Sequence, residues 1–399
     1  MQLVERHVIN RNHPYWSEID SAAFASKNLY NLANYQIRQN FFETGKVLSL
    51  SQLYTAVKDS DDYKSLPRKV SNSILINLKQ NWKAYFKAKK EDKTHPEKFT
   101  ATPKIPNYKP KIDGRNLLIY DLQAIRKKAL KNGMIKPSGL NLEVKTNQKA
   151  IDCVRIIPKK THYVVEVVYT QPEQQTDVNP DWYAGIDLGL NNLAAVTSNK
   201  PGFVPLLVNG RPLKSQNQFY NKRKTFLQSQ LDDKEDGTSQ RIEKLSDRRN
   251  RRISHDLHTA SRRIIDHLVS EGIGTLIIGK NPNWKQEVSL GKRNNQNFVS
   301  IPHARFVKML SDKAQLVSIK VVITEESYTS TCSFLDLEPI EKRESYMGLR
   351  LNRGLFRAKS GRLINADVNG AFHIIRKVAP HAFADGVEGV VVHPVKVSP

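Results

Sequence analysis

The spacing of apolar residues in the first part of the chain predicts a strand followed by helices. Residues 1–10 are rich in β-branched residues in imperfect alternation, which is typical of a strand. After Pro14, apolar residues fall at helical spacing from Ala22 to Ile37, which predicts a long helix. A shorter helix is expected near 51–59.

The helical pattern ends at four prolines between positions 96 and 110. Before them, apolar residues recur every four positions and predict a helix over 68–90. After them, strand-like pieces of 115–170 are separated by turn residues. The first half is therefore predicted to be a small β domain interrupted by a helical insertion, and the polar stretch 171–181 is interpreted as a linker.

The second half begins with a predicted hairpin that turns at Asn191 and Asn192. A strand over 203–208 follows, and 214–270 is predicted to be mostly helical and strongly basic. These elements favour a sheet covered by helices.

The remaining pattern predicts a strand–helix–strand crossover. The strands 275–278 and 319–324 flank a helix over 301–317, and such a connection makes two strands parallel. Residues 328–363 are interpreted as irregular, and a last helix is expected near Asp367. The second half is thus predicted to be an α/β layer with a mixed sheet.

The charge balance changes this picture, because it indicates a polyanionic partner. The 399 residues include 63 Lys and Arg against 39 Asp and Glu, for a formal net charge of +24. Nucleic acid is the first candidate and an anionic membrane surface the second. No apolar run approaches the roughly 18 residues of a membrane helix, and the start lacks a signal-peptide layout, so neither membrane spanning nor secretion is expected. The two cysteines, Cys153 and Cys332, exclude a four-cysteine zinc site and favour a reducing cytosol.

Two aspartates lie in or beside elements that are otherwise largely apolar, where a carboxylate needs a stabilising partner. Asp187 lies in an apolar strand between Ile186 and Leu188, where an unpaired carboxylate is costly. A divalent metal would stabilise it, and a turn-capping aspartate is the alternative. Asp367 precedes the last helix and is either an N-cap or a second metal ligand.

The order of these motifs resembles a known nuclease family. Gly185-Ile-Asp187-Leu-Gly189 before a hairpin, and Asn365-Ala-Asp367-Val-Asn-Gly-Ala371 at a helix start, are similar to a RuvC-type nuclease core. With Tyr328-Thr329-Ser330 and the upstream Pro106-Asn107-Tyr108-Lys109, they resemble the TnpB/OrfB family of transposon-encoded RNA-guided nucleases, which are relatives of type V CRISPR effectors. The resemblance covers nearly the whole chain.

The resemblance implies a multidomain fold of α+β and α/β type. Residues 1–12 and 100–178 would form a β-barrel wedge domain, and 13–99 its helical recognition insertion. Residues 182–399 would form a RuvC-like, RNase H-like mixed-sheet nuclease domain. Within it, 328–363 would be a target-nucleic-acid-binding insertion, a degenerate form of the family's zinc ribbon.

The resemblance also implies a DNA endonuclease activity. Three acids would hold two Mg²⁺ ions and cut DNA that is paired with a guide RNA. Asp187 matches the first acid and Asp367 the third. The implied partners are a guide RNA derived from the transposon end and a double-stranded DNA target beside a short adjacent motif, with no membrane. The expected location is a prokaryotic cytoplasm, at the nucleoid.

The chain departs from the family pattern in two places. The second acid normally follows the strand 275–278, but Gly279-Lys280-Asn281 stands there. The zinc ribbon normally supplies paired cysteines, but only Cys332 is present, so no structural zinc is expected.

The missing acid is expected from the neighbouring strand, because the carboxyl ends of adjacent parallel strands meet at one edge of a sheet. Glu326 is the first candidate, followed by Glu325 and then by Glu287. Consecutive strand residues face opposite sides, so at most one of Glu325 and Glu326 points at the metals. The alternative is that both are surface glutamates and the nuclease is inactive.

A further set of basic and aromatic residues is predicted to contact nucleic acid, mainly at phosphates. The set comprises Arg38, Lys83, Lys87, Arg248, Arg249, Arg251, Arg252, Trp284, Lys292 and Arg293. Three functions remain open: an RNA-guided DNA endonuclease, an RNA-guided repressor that does not cut, and a transposase-like or resolvase-like nuclease that needs no guide.

Overall fold

The chain divides into two compact units, Met1–Gln171 and Pro172–Pro399, each with its own apolar core. The structure is a computed structural model that describes residues 1–231, 237–281, 300–384 and 386–399. None of the helices in these ranges has both the length and the apolar composition needed to cross a membrane.

The first unit contains a four-stranded antiparallel sheet and a separate two-stranded ladder. Its strands are β1 (Gln2–Asn10), β2 (Leu118–Asp121), β3 (Met134–Ile135), β4 (Val144–Lys145), β5 (Cys153–Pro158) and β6 (His162–Thr170). The order in the sheet is β1-β6-β5-β2, and β3 pairs with β4. Strand β1 pairs with β6 over its full length, so the two ends of the unit are joined. The closure of these strands into a barrel stays a prediction.

Two long and two short helices interrupt this sheet between β1 and β2, where the hydrophobic pattern predicted helices. They are α1 (Trp16–Thr44), α2 (Leu50–Val57), α3 (Asp61–Lys64) and α4 (Arg68–Thr94), and the short α5 (Lys127–Lys131) follows β2. Trp82 of α4 is buried, and its indole N–H donates to Asn34 Oδ1 of α1 at 3.0 Å. Because a buried indole N–H needs an acceptor, this bond fixes how the two helices pack.

The second unit is built on a six-stranded mixed sheet, and a smaller sheet of three strands accompanies it. The strands of the six-stranded sheet are β7 (Asn179–Leu188), β8 (Asn192–Ser198), β9 (Leu206–Asn209), β10 (Ile273–Gly279), β11 (Lys320–Thr324) and β15 (Val395–Val397). The strands of the smaller sheet are β12 (Leu349–Asn352), β13 (Leu355–Arg357) and β14 (Leu363–Asn365). The sheet order is β11-β10-β7-β8-β9-β15. The predicted hairpin joins β7 to β8, and the predicted crossover makes β10 and β11 parallel. Both expectations are confirmed.

Helices cover both faces of this sheet. They are α6 (Arg211–Gln228), α7 (Gln240–Ser270), α8 (His303–Leu316) and α9 (Ala366–Val378). Ile186 and Ile278 pack in a core with α7 and α8, whereas Ala195 and Ile277 pack in a second core with α9. This alternation follows from the period-two geometry of a strand, and it decides which residues at the strand ends face α9.

The expectation that 328–363 is irregular is wrong for its second half. Strands β12, β13 and β14 form a small antiparallel sheet between residues 349 and 365. Strands of three or four residues are too short to show a clear period of two. In addition, every residue of β12 is exposed, so no apolar alternation marks it.

Candidate active site

Asp187 lies on the α9 side of strand β7. Its neighbours Ile186 and Leu188 are buried in the core shared with α7 and α8, so its carboxylate faces the opposite side. There α9 approaches closely: a Cβ added to Gly370 would lie 3.0 Å from Asp187 Oδ2. A Cβ added to Gly185 would lie 2.3 Å from the Ala371 carbonyl oxygen. These two glycines therefore permit the helix and the strand to meet beside the carboxylate.

The Glu326 carboxylate occupies the space beside Gly279 at the end of β10. The parallel register pairs Gly279 with Thr324, so Glu326 follows just beyond the end of β11. A Cβ added to Gly279 would lie 2.8 Å from Glu326 Oε2 and 2.5 Å from Ile374 Cδ1. The backbone at this strand end thus leaves no room for a side chain while Glu326 is in place.

A turn after β11 holds Glu326 in this position. The Glu326 backbone N–H donates to Asn281 Oδ1 at 2.9 Å, and Asn281 Nδ2 lies 3.4 Å from Glu326 Oε1. The Thr329 hydroxyl donates to the Glu326 carbonyl oxygen at 2.7 Å. In the same turn Tyr328 has a φ of 64°, a left-handed conformation that a bulky residue adopts at a cost.

Glu325 is directed elsewhere. Its exposed carboxylate accepts a hydrogen bond from Lys377 Nζ at 2.8 Å, and this bond lowers the pKa of Glu325. Glu287, the third candidate for the missing acid, lies outside the described residues.

Asp367 lies in the first turn of α9. The N-cap of this helix is Asn365, whose side chain accepts from the backbone N–H groups of Asp367 and Val368. The alternative expectation that Asp367 caps the helix is therefore wrong. Its carboxylate instead accepts from Asn192 Nδ2 at 2.7 Å, and Arg350 Nη2 lies 3.8 Å from its Oδ1.

Burial and neighbouring charges disfavour the ionisation of two of these carboxylates. Burial, and then the charges of Glu326 and Asp367, raise the pKa of Asp187 well above its usual range. Arg350 acts on Asp187 in the opposite direction. Burial, and then the charge of Glu325, raise the pKa of Glu326 to about 7. Asp187 therefore lies within electrostatic reach of the other two acids, and a nearby cation would favour its ionisation.

The donor atoms of this cluster fit a hard divalent cation. Carboxylate oxygens are the ligands that Mg²⁺ prefers, and Glu326 Oε2 is buried without a hydrogen-bond partner. Within the ranges that the structure describes, no three His, Cys, Asp or Glu side chains stand close enough together to enclose an ion. The residues therefore have the right chemistry, and their side chains need to converge further to share a metal.

The insertion that contains Cys332 is attached to α9 by aromatic packing and amide contacts. Phe334 stacks on Phe372 with ring centroids 4.3 Å apart. Asn369 donates to the Cys332 carbonyl oxygen at 2.9 Å, and His373 Nε2 lies 3.0 Å from the same oxygen. The buried Cys332 thiol lies 3.4 Å from the Pro339 carbonyl oxygen. These contacts provide a core for the insertion that uses no cysteine pair.

A buried glutamate completes this core. Glu338 is 1% exposed, and its two carboxylate oxygens accept from the backbone N–H groups of Ser333 and Met347 at 2.7 and 2.9 Å. Arg376 of α9 donates to the Glu338 carbonyl oxygen at 3.0 Å. Glu338 thus links both ends of a loop and satisfies the buried N–H group of Ser333, which would otherwise have no acceptor.

In the first unit, Arg38 is engaged with the Pro106–Lys109 segment. Its guanidinium lies 4.8 Å from the centre of the Tyr108 ring and donates to the Pro106 carbonyl oxygen at 3.3 Å. Asn34 donates to the same oxygen at 2.9 Å. Lys83 and Lys87 are exposed on α4. A role in nucleic-acid contact stays a prediction for all three basic residues.

In the second unit, the four predicted arginines of α7 differ in their surroundings. Arg248, Arg251 and Arg252 are exposed. Arg249 is half-buried and donates to Asn217 Oδ1 at 2.8 Å and to the Ser300 carbonyl oxygen at 2.7 Å, so it joins α7 to its neighbours. Trp284, Lys292 and Arg293 lie outside the described residues.

Sequence reasoning missed three polar residues around the acids. Asn281 directly follows the place of the missing acid, and Asn192 was interpreted only as a turn residue. Arg350 lies on β12, in a stretch interpreted as irregular, so nothing in the pattern indicated its approach to Asp367.

Two family models match separate stretches of the chain, and each stretch contains part of the candidate site. A family model described as OrfB_IS605, probable transposase, matches residues 165–285, which include Asp187 and Gly279. A model described as Cas12f1-like, TNB domain, matches residues 303–374, which include Glu326 and Asp367. The TnpB-like protein ORF457 of Acidianus two-tailed virus is 25% identical over 411 residues, which cover 93% of this chain and 83% of that protein.

The fold has a counterpart among solved structures. The structure of a Cas12f1–sgRNA–target DNA complex is similar with a TM-score of 0.55 and 14% identity, covering 90% of this chain and 83% of that chain. This likeness defines a mixed α/β multidomain fold of the Cas12f type. The matching family models and the viral relative make the chain similar to the TnpB family and to the type V effectors of the Cas12f1 type.

Proposed function

We propose that the protein is an RNA-guided DNA endonuclease of transposon origin, with Asp187, Glu326 and Asp367 as its nuclease acids. The observation that carries this proposal is the buried, unpartnered Oε2 of Glu326 beside Gly279. A chain that keeps such a carboxylate loses stability, and perturbed buried acids gathered at one strand edge are typical of catalytic centres.

The three carboxylates would hold Mg²⁺, which supplies Lewis-acid activation for phosphodiester hydrolysis when it is bound. The chain's own residues do the positioning. Asn281 and Thr329 fix the backbone at Glu326, and Asn192 fixes one oxygen of Asp367. The Arg350 guanidinium lies at the edge of the acids and is placed to bind phosphate oxygens of a strand entering the site.

The nature of the relatives supports RNA and DNA as partners. The solved Cas12f1 structure is a complex with sgRNA and target DNA, and the viral relative is described as TnpB-like. The net charge of +24 suits a long polyanion. In the proposed function, the guide supplies sequence by base pairing, and the protein recognises a short adjacent motif on duplex DNA.

The test is a cleavage assay with the RNA that co-purifies with the protein. That RNA is sequenced, and DNA matching it is supplied with Mg²⁺. We expect cleavage, and we expect Asp187→Ala, Glu326→Gln and Asp367→Ala each to lower it by about 10³-fold or more while target binding stays close to that of the parent. Double variants should be little worse than single ones, because the acids act as a unit.

Glu325→Gln is the matched control, because Glu325 is adjacent in sequence but pairs with Lys377 on the exposed side. Its cleavage should resemble that of the parent. Equal loss in Glu325→Gln and retained cleavage in Glu326→Gln would overturn the assignment of the second acid.

A second candidate is an RNA-guided DNA binder that does not cut. It is favoured by Gly279 in place of the second acid and by the separation of the carboxylates within the described ranges. A parent protein that binds guide and matching DNA, yet leaves the DNA intact with Mg²⁺, would establish this function instead.

A further inference from the structure

Helices α6 and α7 form a groove that the proposed nuclease centre does not use. Its lining includes Phe219 and Tyr220 from α6 and Arg248 and Arg252 from α7. Phe219 is 66% exposed, and Phe226, two turns further along α6, is 48% exposed. Large apolar side chains are seldom exposed together on one helix face, so the two phenylalanine rings indicate a binding surface.

The surroundings of these rings are cationic. Helix α6 contains no acidic residue, and its five cations are Arg211, Lys214, Lys222, Arg223 and Lys224. Arg248, Arg251 and Arg252 add exposed positive charge from α7. An apolar protein partner would have to desolvate these cations, whereas a polyanion would neutralise them. The charge therefore favours nucleic acid as the occupant.

Two of the aromatic rings each lie close to a guanidinium, whereas Phe219 does not do so within the described residues. The Arg223 guanidinium lies 4.9 Å from the centre of the Phe226 ring, and the Arg249 guanidinium lies 5.4 Å from that of Tyr220. The Tyr220 hydroxyl lies 3.0 Å from Ser246 Oγ, so that ring is held. Phe219 remains the ring with the most exposed surface in the groove.

The spacing suits a single strand. Phe219 and Phe226 are separated by about 10.5 Å along the helix axis, since each residue rises about 1.5 Å. Stacked nucleotides rise about 3.4 Å each, so about three of them span this distance. Paired bases present only their edges in a duplex, whereas unpaired bases offer a face to an aromatic ring.

We propose that the groove between α6 and α7 binds unpaired nucleotides, with a base stacked on Phe219 and phosphates on Arg248 and Arg252, and that the bound strand continues along α6 to Phe226 and Arg223. The inference needs only the groove itself and does not depend on cleavage. Single-stranded RNA and single-stranded DNA share the required chemistry, and the experiment distinguishes them.

The test measures binding of the full chain, without guide RNA and in EDTA, to labelled oligonucleotides of about 12 nucleotides. Single-stranded RNA, single-stranded DNA and a DNA duplex of equal length are compared, each over a range of salt. We expect Phe219→Ala to weaken binding of at least one single strand by about 5- to 100-fold, with an unchanged salt slope, because stacking involves no charge. Duplex binding should not change.

Other variants separate stacking from charge. Phe219→Trp should bind as tightly as the parent or more tightly, and Arg252→Gln should flatten the salt slope by about 0.7. Ile112→Ala is the matched control, since Ile112 is an 80% exposed apolar residue of the first unit. The single strand that responds to Phe219→Ala identifies RNA or DNA as the occupant.

Three results would overturn the proposal. Phe219→Ala would bind both single strands like the parent, or it would lose duplex and single-strand binding equally. The third result combines two observations: Phe219→Leu retains full single-strand affinity, and Phe219→Ala converts a dimeric parent to monomers in sedimentation. That result would make a second copy of the chain the occupant of the groove. Because this experiment measures binding and not cleavage, its outcomes can be interpreted even if the protein proves not to be a nuclease.

Discussion

Two glutamates of the second unit, one buried and one half-buried, show how differently the same side chain can be used. Glu338, in the insertion, is 1% exposed, and both its carboxylate oxygens accept backbone N–H donors. Glu326, at the sheet edge, has a buried Oε2 with no partner and a pKa raised by burial to about 7. Both lie near α9, so the difference comes from the partners supplied by the local backbone.

This difference separates a structural carboxylate from one that is available for chemistry. A buried carboxylate that is fully hydrogen-bonded strengthens its surroundings, whereas removing one partner leaves a desolvated group. The segment 328–363 therefore obtains cohesion from Glu338 and from the stacking of Phe334 on Phe372. The sheet edge keeps an electrostatic cost that a bound cation would relieve.

The largest effect on stability is expected from Glu338→Ala. It leaves the buried backbone N–H group of Ser333 without an acceptor, at about 1–3 kcal/mol, and removes the acceptor of the part-buried Met347 N–H group, so the second unit should lose about 2–4 kcal/mol. Hydrogen exchange at these two amides gives the local measurement, because whole-chain unfolding of two units is not a two-state process. Unchanged protection of both amides would show that Glu338 is not the link.

Glu326→Gln, in contrast, is expected to raise the free energy of unfolding of the metal-free protein near neutral pH. The pKa of Glu326 rises from 4.5 to about 7 on folding, so the native state disfavours ionisation. The parent should therefore lose stability as the pH rises from about 4.5 to 7, by up to about 3 kcal/mol at about 1.4 kcal/mol per unit. The variant should lack this loss. Unfolding midpoints in EDTA across this range are the measurement.

Glu325→Gln again serves as the control. Lys377 lowers the pKa of Glu325, so that carboxylate contributes stability above its unfolded pKa and loses it as the pH falls. The two variants should therefore change the pH profile in opposite directions. A parallel change in both profiles would contradict the separation of the two side chains.

The sequence predicted the sheet of the second unit well, because its strands are long and apolar. The crossover between β10 and β11 required only the order of the elements and the handedness of such connections. It also brought Glu326 near Gly279 as an expectation, since both follow the ends of neighbouring parallel strands.

What the sequence did not predict depends on contacts between distant short segments. Arg350 lies near Asp367 only because three short strands fold back over the start of α9. Asn365 was preferred over Asp367 as the helix cap by the local backbone, although both residue types cap helices well. The part of the predicted nucleic-acid set at 284–293 lies outside the described residues, so it stays a prediction.

A smaller loss of stability is expected from Gly279→Glu, and its size depends on Glu326. In the parent, a Cβ at Gly279 meets Glu326 Oε2 at 2.8 Å and Ile374 Cδ1 at 2.5 Å, so the substitution should cost about 1–3 kcal/mol. On a Glu326→Ala background, only the flexible end of Ile374 has to move, and the cost should fall. A thermal-unfolding double-mutant cycle measures this coupling, and additive effects would contradict the shared space. Partial recovery of cleavage in the double variant would further show that both positions reach the same site.

The smallest effect is expected at Cys332. It is the one cysteine of the sequence 328–363, which contains no histidine, whereas a structural zinc site takes four such ligands. Elemental analysis of the purified protein should therefore find no stoichiometric zinc, and a chelator should leave the unfolding midpoint unchanged. Cys332→Ala should cost about 1 kcal/mol through lost packing, with the half-buried Cys153→Ala as control. Stoichiometric zinc that disappears in Cys332→Ala would show that a metal holds the segment around Cys332. The hydrogen bonds of Glu338 would then not be sufficient to explain how that segment is held together.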